Sequence, residues 1–493
     1  MTTPIFMTGF EYGMIDIPGG GLANSILGSG LEVNTTPSPR HGGSYSLFTH
    51  PTTIADGQIR WTNFITSSIQ VGRLYLRIQT APSLATEIAF WDTNQASEPQ
   101  LYLNPVSVKL ELRWGGGSAV DLGTYTLNKW HRVDWHVDLS SSTNVVKARL
   151  DGGTEATTSL SQSAGVLSGL ALGTTTDIEY NILWDDIIVS NTSGDYPIGP
   201  GEIRPLKLTA DGAHSPATPD CLRGGGASPA LISGSNVAYQ YLDDVPFPNG
   251  PSPTTDRISQ DASASPHDTH YVEVTFADVV ENIFHGVVAW LAYGGDAVAP
   301  NNGSAKIVRS DATEVTLYSG DMSETTVFYK RAVVTAPVSG WTRDEINALK
   351  ARVGYSTDAN PNPFWQALLG EYACYRRTRL TWDLISSTQA DAQEVCTAIE
   401  NDDLALKEIE TDSHGDMESE SDWRCVGDVV FSNEVDARNV YQAIINKWTS
   451  GPLAAKILSG SLTNLHRCPH PEGESSFDCG TDPLAIFEET VKA

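Results

Sequence analysis

The chain has 493 residues, of which 40% are hydrophobic and only 18% charged, and it contains 43 Gly and 27 Pro. This length suggests two to four domains, and the composition favours β-rich domains over helical bundles. A net charge of −29 argues against nucleic-acid binding, because contacts to phosphates need a basic surface.

Residues 1–200 read as a series of short strands separated by glycine-rich turns. Arg73–Ile78, Val108–Trp114 and Trp130–Asp138 alternate in residue type, as a strand with one buried face does. About a dozen such runs without helices predict a two-sheet β-sandwich of the jelly-roll kind.

An ordered set of motifs makes this prediction more specific. In chain order these motifs are Gly9–Gly13, Arg40–Leu47, Trp130-x-x-Val133-x-Trp135, Arg149–Gly153 and Trp184–Val189. The set resembles the concanavalin A-like, laminin-G-type sandwich domains that recur in bacteriophage virion proteins. The resemblance implies a lectin-like fold over about 190 residues and a place in a virus particle.

Three carboxylates are candidates for a metal site in this domain. The first and last strands of such a sandwich often lie side by side, which would bring Glu11 near Asp185 and Asp186. Ca²⁺ takes six to eight oxygen ligands and is the natural counter-ion for converging carboxylates. The resemblance implies a structural calcium at the same place. The alternative is that Glu11 and Asp185 face solvent while Asp186 bonds to a turn.

Aromatic side chains near predicted strand ends are candidates for ligand contact. Trp91, Trp114 and Tyr125 are placed where sugar-binding sandwiches stack pyranose rings. The alternative is that these rings belong to the core, as tryptophans on strands usually do.

Residues 201–377 predict a second β-rich domain after the linker Gly194–Gly201. Tyr241–Pro246 and, further on, Trp341–Gly354 form an ordered pattern. This pattern resembles uncharacterised structural proteins encoded among phage tail and virion genes. The resemblance implies a second jelly-roll-like sandwich without catalytic groups, and it is the stronger of the two pointers to a virion role.

Residues 378–493 form an acidic third segment, with 22 Asp and Glu against 8 Lys and Arg. We interpret the acid as a solvated surface, with docking on a basic neighbour or cation binding as the alternative. The segment reads as a strand, a helix over Thr388–Asn401, two strands, a helix over Asn433–Trp448 and a strand. This βαββαβ order predicts a ferredoxin-like α+β domain, a fold that by itself indicates no chemistry.

Side chains with catalytic or metal-binding potential are few. Glu408-Ile409-Glu410-Thr411-Asp412 has the spacing of a glycanase acid pair but lies outside the sandwich, and we interpret it as a solvated strand end. No nucleophile elbow, phosphate loop or zinc-protease motif is present. The sequence therefore predicts that the protein is not an enzyme.

The C-terminal histidines and cysteines leave three alternatives open. His466, Cys468, His470 and Cys479 could hold a tetrahedral zinc, Cys468 and Cys479 could form a disulfide, or the residues could be unlinked. Nothing approaches 18 consecutive apolar residues, and residues 1–10 lack a signal-peptide pattern, so no membrane span and no leader are expected.

These observations lead to one main functional hypothesis. The chain is expected to be a structural component of a tailed-phage virion, in a tail or baseplate appendage that adheres to host glycans. The alternatives are a capsid decoration or head-fibre protein, and a bacterial carbohydrate-binding protein. Expected partners are other virion proteins, further copies of the chain and a host surface glycan. The expected location is the virion, assembled in the host cytoplasm.

Overall fold

The computed structural model describes the following residues. They are 3–13, 25–27, 30–34, 45–51, 57–114, 118–176, 178–199, 201–215, 222–224, 230–232, 238–243, 257–260, 271–279, 281, 284–294, 302–322, 328–338, 340–355, 364–374, 378–386, 388–398, 409–412, 416–419, 423–431, 457–466 and 486–489. The protein is mainly β, as the sequence predicts.

Within the described ranges, fifteen strands build the first sandwich. They are β1 (Phe6–Thr8), β2 (Ser25–Leu27), β3 (Leu31–Asn34), β4 (Ser46–Thr49), β5 (Gly57–Ser67), β6 (Ile69–Thr80), β7 (Thr86–Thr93), β8 (Pro99–Asn104), β9 (Lys109–Trp114), β10 (Val120–Thr124), β11 (Trp130–Asp138), β12 (Thr143–Leu150), β13 (Ala156–Ser161), β14 (Leu167–Thr174) and β15 (Asn181–Ser190). One sheet has eight strands in the order β13-β12-β11-β6-β15-β4-β3, with β1 also paired to β15. The other has seven in the order β10-β9-β8-β7-β14-β5-β2.

The first and last strands lie side by side, which confirms that part of the prediction. β1 pairs with β15 in antiparallel register, with Thr8 opposite Ile187. Tryptophan side chains pack between the two sheets. Trp135 is fully buried, donates its indole N–H to Gln70 Oε1 at 3.1 Å, and lies 5.7 Å from the Trp91 ring. It covers Gly72, where any Cβ would collide with the indole.

The second segment also consists of two sheets. Its strands are β16 (Glu202–Leu206), β17 (Leu208–Asp211), β18 (Leu222–Gly224), β19 (Ala230–Leu231), β20 (Ile258–Gln260), β21 (Tyr271–Phe276), β22 (Phe284–Gly294), β23 (Asn302–Val308), β24 (Glu314–Asp321), β25 (Phe328–Val334), β26 (Lys350–Tyr355) and β27 (Phe364–Cys374). Seven strands follow the order β19-β18-β20-β27-β22-β25 with β16 paired to β27, and five follow β17-β21-β26-β23-β24.

The Trp341–Gly354 pattern has a structural explanation in this segment. Thr342 caps the short helix α1 (Arg343–Asn347) by accepting the Glu345 N–H at 3.2 Å, a Thr-x-x-Glu capping pattern. Asn347 at the end of α1 then holds the backbone of Val279 through its side-chain amide, at 2.7 and 3.3 Å. The pattern therefore fixes the turn that leads into β26.

The two sandwiches share one hydrophobic core within a single compact unit, residues 1–279 and 284–373. Glu371 on β27 lies at their junction, where its Oε1 accepts the Gly9 N–H at 3.2 Å and the Glu11 N–H at 2.8 Å. Its Oε2 accepts the Trp290 indole N–H at 2.7 Å, and the Trp290 ring lies 4.7 Å from that of Tyr12. Backbone of the first sandwich is thus bonded to a carboxylate of the second.

A half-buried arginine completes this junction. The Arg331 guanidinium lies 4.5 Å over the Phe6 ring and 5.9 Å over Trp290. Burial lowers the pKa of Arg331 to about 10, and burial raises the pKa of Glu371 to about 7 against the opposing amide and indole donors. Tyr12, Trp290, Arg331 and Glu371 are called the junction cluster below.

The third segment belongs to a separate unit, residues 280–283 and 374–493. Its described elements are β28 (Thr378–Ser386), α2 (Gln389–Ala398), β29 (Ile409–Asp412), β30 (Asp416–Ser419), β31 (Trp423–Phe431), β32 (Ile457–His466) and β33 (Ile486–Glu489). The sheet order is β29-β31-β28-β32-β33, with β30 paired to β31. The first predicted helix is present as α2. The second, Asn433–Trp448, lies outside the described residues, so the ferredoxin-like fold stays a prediction.

Among the described helices, none is long and apolar enough to cross a membrane.

Candidate functional site

The seven-stranded sheet of the first sandwich carries a polar outer face. On β8 and β9 the leucines Leu101, Leu103, Leu110 and Leu112 point into the core. The alternating positions therefore face outward. Register places Gln100 opposite Arg113, and Tyr102 opposite both Glu111 and Glu87. We call the outward residues Arg60, Glu87, Asp92, Gln100, Tyr102 and Arg113 the polar face.

An arginine–carboxylate pair forms one side of the polar face. Arg60 on β5 donates two hydrogen bonds to Asp92 on β7, from Nε at 3.1 Å and from Nη2 at 2.5 Å. Its guanidinium lies 5.4 Å over the ring of Phe90. The hydrogen bonds from Arg60 to Asp92 raise the pKa of the arginine, which favours its charged form.

A second arginine forms the other side. The Arg113 guanidinium lies 4.1 Å over the Tyr102 ring and donates from Nη2 to Glu111 at 2.6 Å. Asn104 donates to the other oxygen of Glu111, also at 2.6 Å. These contacts fix Arg113 over the ring of Tyr102, which is half-buried.

Two carboxylates between these arginine pairs form no ion pair with a described residue. Glu87 accepts a hydrogen bond from the Gln100 side chain, and Glu98 accepts the Thr93 N–H at 3.3 Å. Burial, together with the charge of Glu98, raises the pKa of Glu87 to about 7. Burial also raises the pKa of Glu98, with a contribution from Asp92. Near neutral pH, Glu87 can therefore act as hydrogen-bond donor or acceptor.

This arrangement suits recognition of a ligand rich in hydroxyl groups. Carboxyl, amide and guanidinium groups from four strands of this sheet, β5, β7, β8 and β9, offer donors and acceptors within one half-buried surface. Guanidinium groups cover both aromatic rings, so hydrogen bonding rather than open ring stacking is the interaction this face provides.

The predicted ligand-binding aromatics lie elsewhere. Trp91, Trp114 and Tyr125 are only 1%, 4% and 3% exposed and belong to the hydrophobic core. Their rings therefore present no stacking surface, which favours the alternative interpretation that they are core residues.

The predicted calcium ligands are also buried. Glu11 accepts the Tyr45 N–H at 3.2 Å, Asp185 accepts the Asp186 N–H at 2.8 Å, and Asp186 accepts the Ile203 N–H at 2.5 Å. Asp186 itself occupies a left-handed backbone conformation at an irregularity in β15.

One oxygen of each of these three carboxylates therefore accepts a backbone N–H. Within the described ranges, no group of three or more His, Cys, Asp or Glu side chains has the geometry of a metal site. Calcium binding stays a prediction that thermal melts with calcium and with a chelator would test.

The remaining predicted chemistry falls mostly outside the described residues. Cys468, His470 and Cys479 lie there, as does Glu408, while His466 and residues 409–412 are described by their backbone alone. The zinc, disulfide and unlinked alternatives therefore all stay open.

Sequence reasoning missed the polar face, although a signal for it exists. Gln100, Tyr102 and Asn104 alternate with leucines on β8, which indicates an outward polar row. The sequence does not indicate which strands lie beside β8, and Arg60 is brought into place only by the pairing of β14 with both β5 and β7.

Comparison with known proteins leaves the family open. No protein-family model matches the chain, and no curated protein sequence matches it significantly. Similar solved structures include a sialidase, which is 12% identical over 34% of this chain with a TM-score of 0.25; the match spans only 17% of that sialidase.

Two other structures are similar to parts of the chain. Domain 4 of AbnA, a GH43 extracellular arabinanase from Geobacillus stearothermophilus, in complex with arabinotriose, is 15% identical over 35% of this chain and 80% of its own, with a TM-score of 0.26. The CBM22-1-CBM22-2 tandem domain from Paenibacillus barcinonensis Xyn10C is 13% identical over 76% of this chain and 99% of its own, with a TM-score of 0.21. Similarities this low carry no argument about the site.

Proposed function

We propose that the first sandwich is a non-catalytic glycan-binding module that uses the polar face. The observation that carries the proposal is the set of hydrogen-bonding side chains from β5, β7, β8 and β9 on one half-buried sheet surface. Planar carboxyl, amide and guanidinium groups match the paired hydroxyls of a sugar ring.

The charged side chains of the polar face indicate which class of glycan it can bind. Arg60 and Arg113 already pair with Asp92 and Glu111, whereas Glu87 has no ion pair with a described residue. Above about pH 7, where Glu87 is mostly ionised, an acidic sugar would meet a carboxylate that has no paired cation among the described residues and would be repelled. A neutral glycan is therefore the ligand class that we propose.

Removing Gln100 and Tyr102 tests the site. In Gln100→Ala and in Tyr102→Ala, we expect the affinity for a neutral oligosaccharide to fall about 5- to 10-fold, because each removed contact contributes about 1–1.5 kcal/mol. The measurement is a neutral-glycan array followed by titration calorimetry of the best ligand.

Ser159→Ala is the matched control, because Ser159 is exposed on β13 in the opposite sheet. It should leave both affinity and melting temperature unchanged. Equal loss of affinity in Ser159→Ala, or failure to bind any neutral glycan, would contradict the proposal. Release of reducing ends from a bound glycan would contradict its non-catalytic part.

We also propose that the module operates as a structural part of a tailed-phage virion. Two features support this: the resemblance carried by Tyr241–Pro246 and Trp341–Gly354, and the core shared by both sandwiches, which suits a rigid building block. Mass spectrometry of purified particles and immunogold labelling test it. Label on the tail would support an appendage and label on the head a capsid decoration, whereas absence from particles would favour the bacterial carbohydrate-binding alternative.

A further inference from the structure

Three turns at one end of the first sandwich expose aliphatic side chains. They are residues 81–85 between β6 and β7, 105–108 between β8 and β9, and 125–129 between β10 and β11. We call these three turns the apolar tip. Strand register brings them together, because the start of β7 pairs with the end of β8, the start of β9 with the end of β10, and the start of β11 with the end of β6.

Exposure at the apolar tip is unusual for this protein. Val106 is 88% exposed, Leu84 64%, Leu127 47% and Val108 43%. Among the described residues only one other large aliphatic side chain is exposed to this degree, Val338 in the second sandwich. Single exposed aliphatics are ordinary, but four on adjacent turns form a patch of the kind that marks an interaction site.

The turns are held in a fixed shape. The Asn104 side chain accepts the N–H groups of Val106 and Ser107 at 3.1 and 3.2 Å. The Tyr125 N–H donates to the Val108 carbonyl at 3.2 Å, which links the second turn to the third. The Asn128 N–H donates to the Ile78 carbonyl at 2.8 Å. Because these backbone groups are satisfied internally, the patch can be covered without losing hydrogen bonds to water.

Val108 adds an independent observation. Its φ of 56° lies in the left-handed region, which a β-branched residue rarely adopts. Asparagine or glycine would occupy this position with less strain. A strained, exposed valine occupies a position that an unstrained polar residue would fit, and such strain is found preferentially at functional positions.

Charge indicates what covers the patch. The fourteen residues of the apolar tip include no Asp or Glu and a single Lys, Lys129, in a chain of net charge −29. Two copies of so acidic a protein repel each other at most orientations. The apolar tip is a surface at which they meet without carboxylate facing carboxylate, and an aliphatic patch is complementary to itself about a two-fold axis.

We propose that the apolar tip is a self-association surface, at which two copies of this chain meet tip to tip. Fourteen residues are fewer than the roughly 20–30 per partner of a standard stable interface. The contact is therefore weak and reversible by itself, and it becomes effective where copies are held close together.

Sedimentation velocity of the full-length protein over a concentration series tests the proposal. We expect reversible dimerisation that strengthens when salt is raised from about 0.05 to about 0.5 M, because salt screens repulsion between the acidic copies. An interface built on ion pairs would weaken under the same change.

Three variants locate the contact. Leu84→Ser/Val106→Ser should raise the dissociation constant at least about 10-fold, whereas Val338→Ser, an equally exposed aliphatic in the second sandwich, should not change it. Val108→Asn should also weaken dimerisation while keeping or raising the melting temperature, since Asn tolerates the left-handed conformation. That variant separates loss of association from loss of folding.

A monomer at every concentration and salt, or a dimer unaffected by all tip variants, would overturn the proposal. Equal weakening by Val338→Ser would overturn it as well. If the protein stays monomeric but sediments with phosphatidylcholine vesicles in a manner that Leu84→Ser/Val106→Ser abolishes, the patch is a lipid-binding surface and the second-copy assignment is wrong.

Discussion

Glu371→Ala is expected to lower the free energy of unfolding of the two-sandwich unit by about 3–5 kcal/mol. The substitution leaves the N–H groups of Gly9 and Glu11 and the indole N–H of Trp290 without their acceptor, in a buried setting. It also removes the carboxylate whose negative charge favours the protonated form of Arg331. Urea denaturation followed by tryptophan fluorescence measures the change.

A matched control for this prediction is Glu179→Ala, because Glu179 is an exposed carboxylate in the same unit. We expect its effect to stay within about 0.5 kcal/mol. Similar losses in both variants would mean that the junction cluster contributes nothing specific to stability.

The same residue predicts a pH dependence. Its pKa is raised from 4.5 to about 7 in the folded protein, so the folded state binds this proton more tightly than the unfolded chain does. The resulting stabilisation is complete below about pH 4.5 and is lost as pH rises through about 7. Glu371→Gln lacks this titration, so its stability should fall less than that of the wild type between pH 5 and 8. Parallel pH profiles for the two proteins would contradict the assignment.

Gly169→Ala is expected to lower the free energy of unfolding by about 3 kcal/mol, at the upper end of what added core volume costs, and to abolish glycan binding. Gly169 lies on β14, where the register with β5 shifts. A Cβ there would come within 1.9 Å of the Trp61 carbonyl oxygen. Backbone cannot yield as a flexible side chain can, so the pairing of β14 with β5 must open.

Unfolding free energy and glycan titration of the same variant check this prediction. Gly194→Ala is the control, since an added Cβ at that exposed position meets nothing within 4 Å. If Gly169→Ala melts like the wild type and binds normally, the strand pairing beneath the polar face is not what positions Arg60 against Asp92.

Alternation of residue types correctly predicted the strands and the sandwich. It did not predict which side of a strand faces the core. Trp91 alternates with Phe90 and Asp92 on β7, but alternation does not say which set is inward. The structure shows Trp91 in the core and Asp92 on the polar face. Only the partners contributed by neighbouring strands decide this.

The carboxylates at β1 and β15 show a different limit. The sequence predicted that the first and last strands are adjacent, and the structure places β1, which ends three residues before Glu11, beside β15, which carries Asp186. Their hydrogen-bond partners were not predictable, because Tyr45 and Ile203 reach them from a loop and from the second sandwich. Glu371 is an extreme case, since it lies 360 positions from Glu11 in a largely apolar strand.

The junction cluster has a consequence for how such a chain can be cut or recombined. Composition suggests a domain boundary near residue 200. A break there would leave the N–H groups of Gly9 and Glu11 without their acceptor, Glu371. It would also expose the Tyr12 and Trp290 rings, which would lie in separate fragments. We therefore expect the two sandwiches to fold and express best as one piece, and to tolerate exchange as separate domains poorly.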